Sequence, residues 1–507
     1  MPTGQLAMIW DAPDKGDWRG LHDHFTRPLT PEYRRLLATG METGEAESFA
    51  RYGIPARTLL CRFVNGRVFI AAAPLVGPPS ATVPPAPLLW LACRLVPAFR
   101  RRNAAARRAL TERRWLREAA DWYETERPTW QARGAALEAV EPERLSDTEL
   151  AEHLREVQRT ADEGYAVHFR LHGPDLLPLG LLLARGRDWG IDAPTLLGLL
   201  AGASPSSARS DELPAWRLVT GYDLDSSCAA ELDAIAALPT PTAKAVEGDA
   251  AAVRERVPAD QRNEFDQLVA DARAVCDVRD DNGIWTAAWP AGLLRRVMLE
   301  VGHRLTERGQ LLEPSHAVEM TVTELLELLA GEAQAPSAAE VAERRRRRLA
   351  PPPPPPPALG RPAVLPMRAL PPAMRTMVGA LLAVRDHGSA TTTGRPPLTG
   401  EGIGTESVIG RAVVTHDLGD ALERFQPGDV LVVRGTTPAY NVVLGCAAAV
   451  VTEEGGQLSH AAVIAREFGV PAVIGAAEAL ARIPDGSLVE VDPAEGRIRV
   501  LDDSPRR

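Results

Sequence analysis

The sequence predicts a multidomain protein with a mostly α-helical N-terminal domain and a C-terminal α/β domain. At 507 residues, the chain is long enough for two or three domains. Its first part carries apolar residues at helical spacing, whereas its last part carries short apolar runs separated by turn residues. Between the two lies a stretch rich in Ala, Pro and Arg. We therefore expect a helical domain over 1–335, a linker over 336–400 and an α/β domain over 401–503.

Helices in the N-terminal domain are predicted from apolar spacing and from helix start signals. In 147–166, Leu150 and Leu154 fall on one face, and the preceding Ser146 forms a Ser-x-x-Glu capping box with Glu149. Alternation of apolar and polar residues over 58–73 indicates a small hairpin instead. Similar spacing predicts further helices over 258–280, 290–308 and 321–331.

Two basic segments each allow two interpretations. The segment 100–117 with Trp115 is either an RNA-binding helix or a solvated amphipathic helix, and the acidic residues around it favour the latter. The arginine run 344–348 could bind an anionic partner, but arginines that end a helix before a linker more often form a solvated face that complements the helix dipole.

The linker combines a rigid tract with an amphipathic helix. Seven consecutive prolines at 351–357 form polyproline II, which at ~3.1 Å per residue is a semi-rigid spacer. The segment 373–386 places Met374, Met377 and Leu381 on one side of a helix. Such a linker suits a domain that must move between two distant positions.

Short strands are predicted throughout the last part of the chain. The run of small apolar residues at 446–452 lacks polar alternation and therefore reads as a buried strand. Turn signals such as Pro-Gly-Asp and Pro-Asp-Gly separate it from the other apolar runs. Those runs predict strands over 430–434, 471–475, 487–492 and 497–501.

A glycine pair and a Ser-His step follow the strand 446–452. Gly455 and Gly456 allow backbone conformations with positive φ, which can turn successive N–H groups into one anion-binding concavity. Ser459 is an N-cap candidate for a short helix that Gly469 should end, as a C′ glycine does. His460 is therefore expected in the first turn of that helix.

This position suits a histidine that carries a phosphoryl group. The free N–H groups and the positive end of the helix dipole favour a bound dianion and disfavour the imidazolium form. An imidazole, with an unperturbed pKa near ~6.5, must be neutral to attack phosphorus. The purely structural alternative is that His460 only caps a helix and that the two glycines only make a turn.

The spacing Thr-x-x-Gly-Gly-x-x-Ser-His-Ala-Ala, followed by Ala-Arg and Gly-x-Pro, resembles the swivelling phosphohistidine domain of phosphoenolpyruvate (PEP)-utilising enzymes. The form Val-Thr-Glu-x-Gly-Gly-x-Leu-Ser-His is most similar to the rifampin phosphotransferase branch, alongside phosphoenolpyruvate synthase. One departure is Thr437–Asn441, where that branch usually has an acidic-proline-tryptophan element. The resemblance implies that His460 is the phosphorylated residue and that its support comes from Thr452, Gly455, Gly456, Ser459 and Arg466.

The N-terminal part resembles the substrate-binding domain of rifampin phosphotransferases, from the His-Phe-Thr-Arg-Pro segment at 24–28 onward. His168 and His172, four residues apart, could face a substrate or a metal, although solvated or core histidines are the common alternative and no third ligand is evident, so we expect no metal site. Arg273 with Arg279 and Asp280 matches a family element that helps form the acceptor pocket. An interhelical ion pair is the alternative for these three residues.

Composition narrows the function classes. A net charge of −10 argues against general nucleic-acid binding. The five cysteines lack CxxC spacing, which indicates neither a disulfide framework nor a zinc site and fits a reducing cytoplasm. Apolar runs fall short of the ~20 residues that a membrane-spanning helix needs, so no membrane segment is expected.

The resemblance implies a phosphotransferase of the dikinase type that converts ATP to AMP and orthophosphate. No Gly-rich ATP loop with a following lysine is visible, so we expect ATP and Mg²⁺ on a separate ATP-grasp partner protein rather than on this chain. The second substrate would be a small molecule with an alcohol or phenol hydroxyl. The alternative is a non-catalytic relative that binds a ligand or partner and keeps His460 as a regulatory phosphorylation site.

Overall fold

A computed structural model describes most of the chain. Three segments discussed above lie wholly or partly outside the described residues. They are the proline tract 351–357, the His-Phe-Thr-Arg-Pro segment up to Arg27, and residues 438–439 within Thr437–Asn441. The described residues are 17–20, 28–64, 67–78, 83–204, 250–331, 335–350, 358–360, 364–388, 398–416, 418–437 and 440–502.

Helices make up most of the described N-terminal part, as predicted. Two π-helical turns, Trp122–Glu126 and Gly283–Ala288, each lie between two α-helices. The helices are α1 (Pro31–Tyr52), α2 (Ala86–Leu95), α3 (Pro97–Glu112), α4 (Arg114–Asp121), α5 (Arg127–Glu138), α6 (Asp147–Arg170), α7 (His172–Trp189), α8 (Ala193–Gly198), α9 (Ala250–Glu255), α10 (Arg262–Val275), α11 (Val278–Asn282), α12 (Trp289–Glu307), α13 (Val322–Leu329), α14 (Ala338–Leu349), α15 (Pro372–Gly388), α16 (Leu418–Arg424), α17 (Asn441–Leu444), α18 (His460–Phe468) and α19 (Ala479–Arg482).

The strands form two sheets. The first has four strands in the order β2-β3-β1-β4, and the predicted hairpin is its antiparallel pair β2 and β3. The second has eight strands in the order β5-β12-β11-β7-β8-β9-β10-β6. The strands are β1 (Asp17–Gly20), β2 (Ala56–Val64), β3 (Arg67–Pro74), β4 (Ala358–Gly360), β5 (Leu398–Thr399), β6 (Glu401–Ile403), β7 (Val408–Val414), β8 (Val430–Val433), β9 (Ala449–Thr452), β10 (Ala472–Ile474), β11 (Leu488–Asp492) and β12 (Arg497–Asp502).

The chain divides into two compact units. Of the described residues, the first unit holds 17–173 and 282–375, and the second holds 174–204, 250–281 and 376–502. The second unit thus combines a helical part with the C-terminal sheet. Among the described residues, no helix is both long enough and apolar enough to span a bilayer.

Close helix packing organises the first unit around α1 and α6. Gly40 and Gly44 of α1 face α6, and a Cβ atom at Gly44 would lie 2.2 Å from the carbonyl oxygen of Ala166. Glycine is therefore required where the two backbones approach. The α6 helix begins at Ser146 with the predicted capping box, in which Ser146 and Glu149 each bond the other's backbone N–H.

The two basic segments turn out differently. The segment 100–117 is not one helix, because α3 ends at Glu112, Arg113 is left-handed (φ 47°) and α4 begins at Arg114. Trp115 is buried, so its ring is not offered to a base, which argues against the RNA-binding interpretation. In the run 344–348, the interpretation as a solvated face is wrong for Arg348. That side chain is only 5% exposed and bonds both carboxylate oxygens of the buried Glu319 at 2.6 to 3.1 Å. A buried ion pair tolerates this burial because the paired charges compensate each other.

One cluster of buried apolar residues holds the helical part of the second unit together. Leu182, Leu196 and Phe265 are among its most buried members, and Leu458 of the C-terminal domain packs against it. The predicted helix 258–280 is two α-helices in the structure, because the helix is interrupted between the end of α10 and the start of α11. The predicted helix 373–386 is present as α15, and its Ala383 joins the same cluster.

The C-terminal sheet has a parallel centre and antiparallel edges. The neighbouring strands β7, β8, β9 and β10 run parallel, whereas β6 and β11 pair antiparallel on either side of them. All residues of β8 and β9 are buried, as expected for central parallel strands that consist of Val, Leu and Ala apart from Thr452. The carboxyl ends of β8 and β9 therefore lie side by side at one edge of the sheet.

Candidate functional site

His460 is the first residue of α18, in the connection between the parallel strands β9 and β10. Ser459 takes the N-cap position with an extended backbone (φ −65°, ψ 158°), and Val463 N–H donates the first helical bond to its carbonyl oxygen at 3.0 Å. Gly469 ends the helix in the left-handed conformation, as predicted. The backbone N–H groups of Ala461 and Ala462 precede the first helical bond and lie at the positive end of the helix dipole.

A threonine holds the ring of His460. Thr436 lies just beyond the end of β8, and its Oγ1 is 2.7 Å from Nδ1 of His460. Thr436 is buried and His460 is half-buried. When the hydroxyl accepts a hydrogen bond from Nδ1–H, a neutral imidazole has its lone pair on Nε2. The contact therefore orients the ring, and when the hydroxyl is the acceptor, Nε2 is the nucleophilic atom.

The hydroxyl of Ser459 differs from that of an ordinary N-cap. Its Oγ does not bond the helix N–H groups, and among the described residues this buried oxygen has no hydrogen-bond partner. A buried hydroxyl without a partner is costly, so such an atom needs an explanation. Because Ser459 precedes His460, its hydroxyl can donate to an anion held at the start of α18.

The glycine pair shapes the loop beneath Ser459. Gly455 has φ +109°, and a Cβ atom there would lie 2.9 Å from Cβ and 3.0 Å from Oγ of Ser459. Its neighbour Gly456 is buried, and its carbonyl oxygen accepts a bond from Ser459 N–H at 2.9 Å. A side chain at position 455 would therefore both strain the backbone and occupy the space beside the serine hydroxyl.

Thr452 and Arg466 support the loop from outside. The Thr452 hydroxyl donates to the carbonyl oxygen of Glu454 at 2.8 Å, so it ties the end of β9 to the loop. Arg466 donates to the carbonyl oxygen of Gln457 at 2.6 Å and also bonds its side-chain amide. Burial lowers the pKa of Arg466 to about 10. In this structure both residues contact the loop backbone, and neither is seen in contact with His460.

The predicted substrate-binding residues fall into two groups in different units. His168 and His172 belong to the first unit, where their Nδ1 atoms lie 2.8 Å from Asn282 Oδ1 and 2.9 Å from Glu45 Oε1. Arg273, Arg279 and Asp280 belong to the second unit.

The two arginines of the second unit contact its own groups. Arg273 donates to the carbonyl oxygens of Leu199 and Ala201, which follow α8. Arg279 donates to Asp280 at 3.1 Å and lies 4.0 Å from the buried carboxylate of Asp175. The geometry of these contacts agrees with an interhelical ion-pair network.

This network extends to the helix that carries His460. Ser204 Oγ donates to Asp277 at 3.2 Å and to Asp280 at 3.0 Å. The backbone N–H groups of Gly202 and Ser204 donate to the carboxylate of Glu467 on α18. Burial raises the pKa of Glu467 to about 7, and it also raises that of Asp175 to about 7. Within the described residues, no group of three His, Cys, Asp or Glu side chains is arranged to hold a metal ion.

Sequence reasoning missed Thr436, Glu45, Asn282 and Glu467. Thr436 had a usable signal, since it follows the buried strand 430–434 in a sheet whose next parallel strand leads to His460. The sequence signal for Glu467 was weaker. This residue lies seven residues after His460 and therefore on the same face of the helix. Glu45 and Asn282 carried no local signal.

Comparison with known proteins matches the C-terminal domain to a family. The family described as PEP-utilising enzyme, mobile domain, matches residues 425–496. The uncharacterized phosphotransferase YvkC of Bacillus subtilis is 30% identical over 240 residues, which are 47% of this chain and 27% of that protein. Phosphoenolpyruvate synthase of Escherichia coli is 44% identical over 97 residues, or 19% of this chain and 12% of the enzyme. Chondramide synthase of Chondromyces crocatus is 25% identical over 590 residues, or 99% of this chain and 14% of the synthase.

The chain thus spans between 12% and 27% of the length of these relatives. The family match includes β8, β9 and α18, and so contains both Thr436 and His460. Residues 425–496 therefore match the mobile domain of PEP-utilising enzymes, and parts of the chain are similar to proteins named as a phosphotransferase and as phosphoenolpyruvate synthase.

Proposed function

We propose that this chain is the carrier and acceptor component of a phosphotransferase. His460 takes a phosphoryl group from a separate ATP-grasp protein and delivers it to the hydroxyl of a small molecule. The contact between Thr436 Oγ1 and His460 Nδ1 carries this proposal, because it orients the ring and, with Thr436 as the acceptor, leaves the lone pair of Nε2 for attack on phosphorus. A helix cap alone would not need an oriented imidazole.

The surroundings of His460 suit the charge that phosphorylation adds. A phosphoryl group on Nε2 brings about two negative charges near neutral pH, in the first turn of α18. The N–H groups of Ala461 and Ala462 and the hydroxyl of Ser459 are the donors nearest in the chain. Charge-assisted bonds from such donors are stronger than neutral ones, so they would stabilise the phosphorylated histidine.

The donor is assigned to another protein, which binds ATP and Mg²⁺. The sequence shows no Gly-rich loop followed by a phosphate-binding lysine, and the mobile domain resembles those that accept phosphoryl groups from an ATP-grasp domain. The net reaction would convert ATP, acceptor and water to AMP, orthophosphate and phosphorylated acceptor. The acceptor would bind on this chain, in the helical part that resembles a substrate domain.

The test is to combine the chain with an ATP-grasp protein encoded beside its gene and with ATP labelled on the β- or γ-phosphate. We expect acid-labile, alkali-stable label on His460 from the β position only, together with AMP. His460→Gln should remove the label, and His416→Gln, which changes an exposed histidine of the same domain, should not.

Three outcomes would contradict the proposal. Equal labelling of wild type and His460→Gln would exclude His460 as the carrier. Labelling without the partner would exclude a separate donor. Label on His460 that never leaves it in the presence of any alcohol or phenol would instead support a regulatory phosphorylation site.

A further inference from the structure

One helix of the first unit, α2, exposes an apolar face to solvent. Leu88, Leu91 and Leu95 follow each other at helical spacing and therefore lie on one side of α2. They are 59%, 44% and 65% exposed. Leu89 and Cys93, on the other side of the helix, are buried. The helix is thus held to the protein by one face, while its leucine-rich face is left uncovered by the described residues.

Exposed apolar side chains are concentrated on this helix. Together with Trp90, the three leucines make up four of the ten large apolar side chains that are exposed among the described residues. The guanidinium of Arg94 lies 3.4 Å from the centroid of the Trp90 ring, so the indole is paired with a cation. Single exposed apolar residues are ordinary on a protein surface, whereas a group of them on one element marks an interaction surface.

The next helix, α3, exposes arginines that have no acidic partner. Arg100 and Arg107 are seven residues apart, as are Arg101 and Arg108, so the four lie on one side of α3. All four are exposed, whereas Ala106 on the other side is buried. In the part of the chain that the structure describes, none of the four takes part in an ion pair or a hydrogen bond.

The lack of acidic partners is a local property of this surface. Elsewhere, the exposed arginines Arg144, Arg159 and Arg346 each form an ion pair with a glutamate three residues away. No aspartate or glutamate occurs between Glu47 and Glu112, although the whole chain has 67 acidic residues. The surface of α2 and α3 is therefore positively charged in a protein whose net charge is −10.

The apolar and the basic faces adjoin each other. Val96 is the one residue between α2 and α3, and the two helices pack together. Leu95 ends α2, and Arg100 lies in the first turn of α3. A partner at this corner meets leucines and a tryptophan on one side and arginines on the other. Such a partner must combine an apolar phase with negative charge.

This combination distinguishes between three kinds of partner. A second copy of the chain in a twofold contact would bring the same arginines of both copies together, and like charges repel. An acidic protein would need a shaped groove to receive the exposed face of α2. An anionic bilayer needs no groove, because a surface helix with Leu and Trp enters its headgroup region while anionic headgroups attract nearby arginines.

We propose that α2 and α3 form a docking surface for an anionic lipid bilayer. In this arrangement α2 lies in the plane of the headgroups, with Leu88, Leu91 and Leu95 directed into the acyl boundary. The arginines of α3 contact the lipid phosphates from the side. Attachment is peripheral and reversible, because one short helix supplies the apolar contact. No step of the proposed carrier function enters this proposal, and neither depends on the other.

The experiment measures binding of the full chain to lipid vesicles by sedimentation. One set of vesicles consists of phosphatidylcholine alone, and the other contains phosphatidylcholine and phosphatidylglycerol in equal amounts. We expect the chain to sediment with the anionic vesicles and to stay in solution with the neutral ones. Binding should weaken as the salt concentration rises, because salt screens the attraction between arginines and phosphates.

Two double variants separate the apolar contribution from the charge contribution. Leu88→Gln combined with Leu95→Gln should weaken binding to anionic vesicles by about 10-fold or more. Arg100→Gln combined with Arg101→Gln should weaken it by about 30-fold, since each arginine near an anionic surface contributes about 5-fold.

The controls change residues of the same unit with matching exposure. Leu312→Gln changes a leucine that is 62% exposed, and Arg144→Gln changes an exposed arginine that has a glutamate partner. Both should bind anionic vesicles as the wild type does. Thermal unfolding of every variant shows that the folded state is kept.

Tryptophan fluorescence tests whether α2 enters the bilayer. Lipids brominated in their acyl chains quench a tryptophan that reaches the acyl boundary. We expect such lipids to quench part of the wild-type emission, and Trp90→Phe should remove that quenched part. Quenching that is the same in both proteins would mean that α2 does not enter the lipid, which overturns the proposal.

Four other results would also overturn it. The first is no binding to anionic vesicles, and the second is equal binding to neutral ones. The third is equally tight binding to poly-L-glutamate that needs the arginines but not the leucines, which would assign the surface to an acidic protein. The fourth is a dimer, seen by light scattering, that the leucine variant dissociates, which would assign the surface to a second copy of the chain.

Discussion

The hydroxyl of Thr436 lies 2.7 Å from Nδ1 of His460, although 24 residues separate the two in the chain. The contact exists because β8 and β9 are parallel neighbours, so the residues that follow them meet at one edge of the sheet. In the proposed function, with Thr436 as the acceptor, it leaves Nε2 rather than Nδ1 as the atom that would carry a phosphoryl group. It also gives the imidazole a fixed orientation before any donor arrives.

Replacing Thr436 by Val should slow phosphorylation of His460 by about 10-fold to 100-fold, because a hydrogen bond worth about 1–3 kcal/mol is lost from a buried site. Thr436→Ser should restore most of the rate, since it keeps the hydroxyl. The rate is measured as label on His460 from phosphoramidate, and ¹⁵N NMR reports the tautomer of the ring.

The matched control is Thr437→Val, which changes the adjacent and more exposed threonine. It should leave both the rate and the tautomer unchanged. A Thr436→Val protein that is phosphorylated as fast as wild type would show that the contact does not prepare the nucleophile.

Replacing Gly455 by Ala should destabilise the second unit by about 1–3 kcal/mol, because φ at this position is +109° and the new methyl group would meet Ser459. Gly428→Ala is the control. Gly428 has a similar φ of +95°, but a Cβ atom there meets nothing within 4 Å.

Thermal unfolding measures both variants, and labelling of His460 separates strain from steric effects. Both alanine variants should lose stability, but only Gly455→Ala should also slow labelling. Equal labelling of the two variants would mean that the loop does not need the space beside Ser459.

The local part of this site could be predicted from sequence, because its signals lie within one short stretch. The buried strand, the glycine pair, Ser459 and the Gly469 stop each act over a few residues, and they predict a histidine at a helix start. The parallel strands on either side follow from apolar runs in the same way. The structure has this arrangement, with strand ends displaced by up to three residues.

Contacts that depend on tertiary packing could not be predicted. Glu45 meets His172 across 127 residues, and only the close packing of α1 against the start of α7 brings them together. The prediction of a solvated face for the arginine run 344–348 was wrong at Arg348 for the same reason. Nothing near Arg348 in the sequence indicates that Glu319, 29 residues earlier, is buried with its carboxylate toward it.

The acidic residues near α18 predict a pH dependence of stability. Burial raises the pKa of Glu467 from 4.5 to about 7 in the folded chain, so the folded state holds a proton that the unfolded state has lost between these values. Stability should therefore be highest below about pH 4.5 for this group and should fall as the pH rises to about 7. The slope is at most about 1.4 kcal/mol per pH unit for one proton.

Glu467→Gln should flatten this slope, because the amide still accepts bonds from Gly202 and Ser204 but does not ionise. Urea unfolding at a series of pH values measures the effect. Glu423→Gln, at an exposed position of the same domain, should keep the wild-type slope. A slope that Glu467→Gln leaves unchanged would place the responsible proton elsewhere, with Asp175 the next group to test.

Leu458 predicts a further coupling, since it follows the glycine pair and packs against the apolar cluster of the second unit's helical part. Leu458→Ala should cost about 1–2 kcal/mol, less than a fully buried leucine would, because the side chain is only partly buried. Ile409→Ala, at a position that is 57% exposed, is the control and should cost little.

Amide hydrogen exchange identifies which segments lose stability in the Leu458→Ala variant. Exchange should become faster in the helical part around Leu182 and Phe265 as well as in the loop before His460, because the cluster loses one of its contacts. Faster exchange in the loop alone would mean that Leu458 only stiffens its own segment. In that case the His460 loop and the helical part would respond independently to phosphorylation.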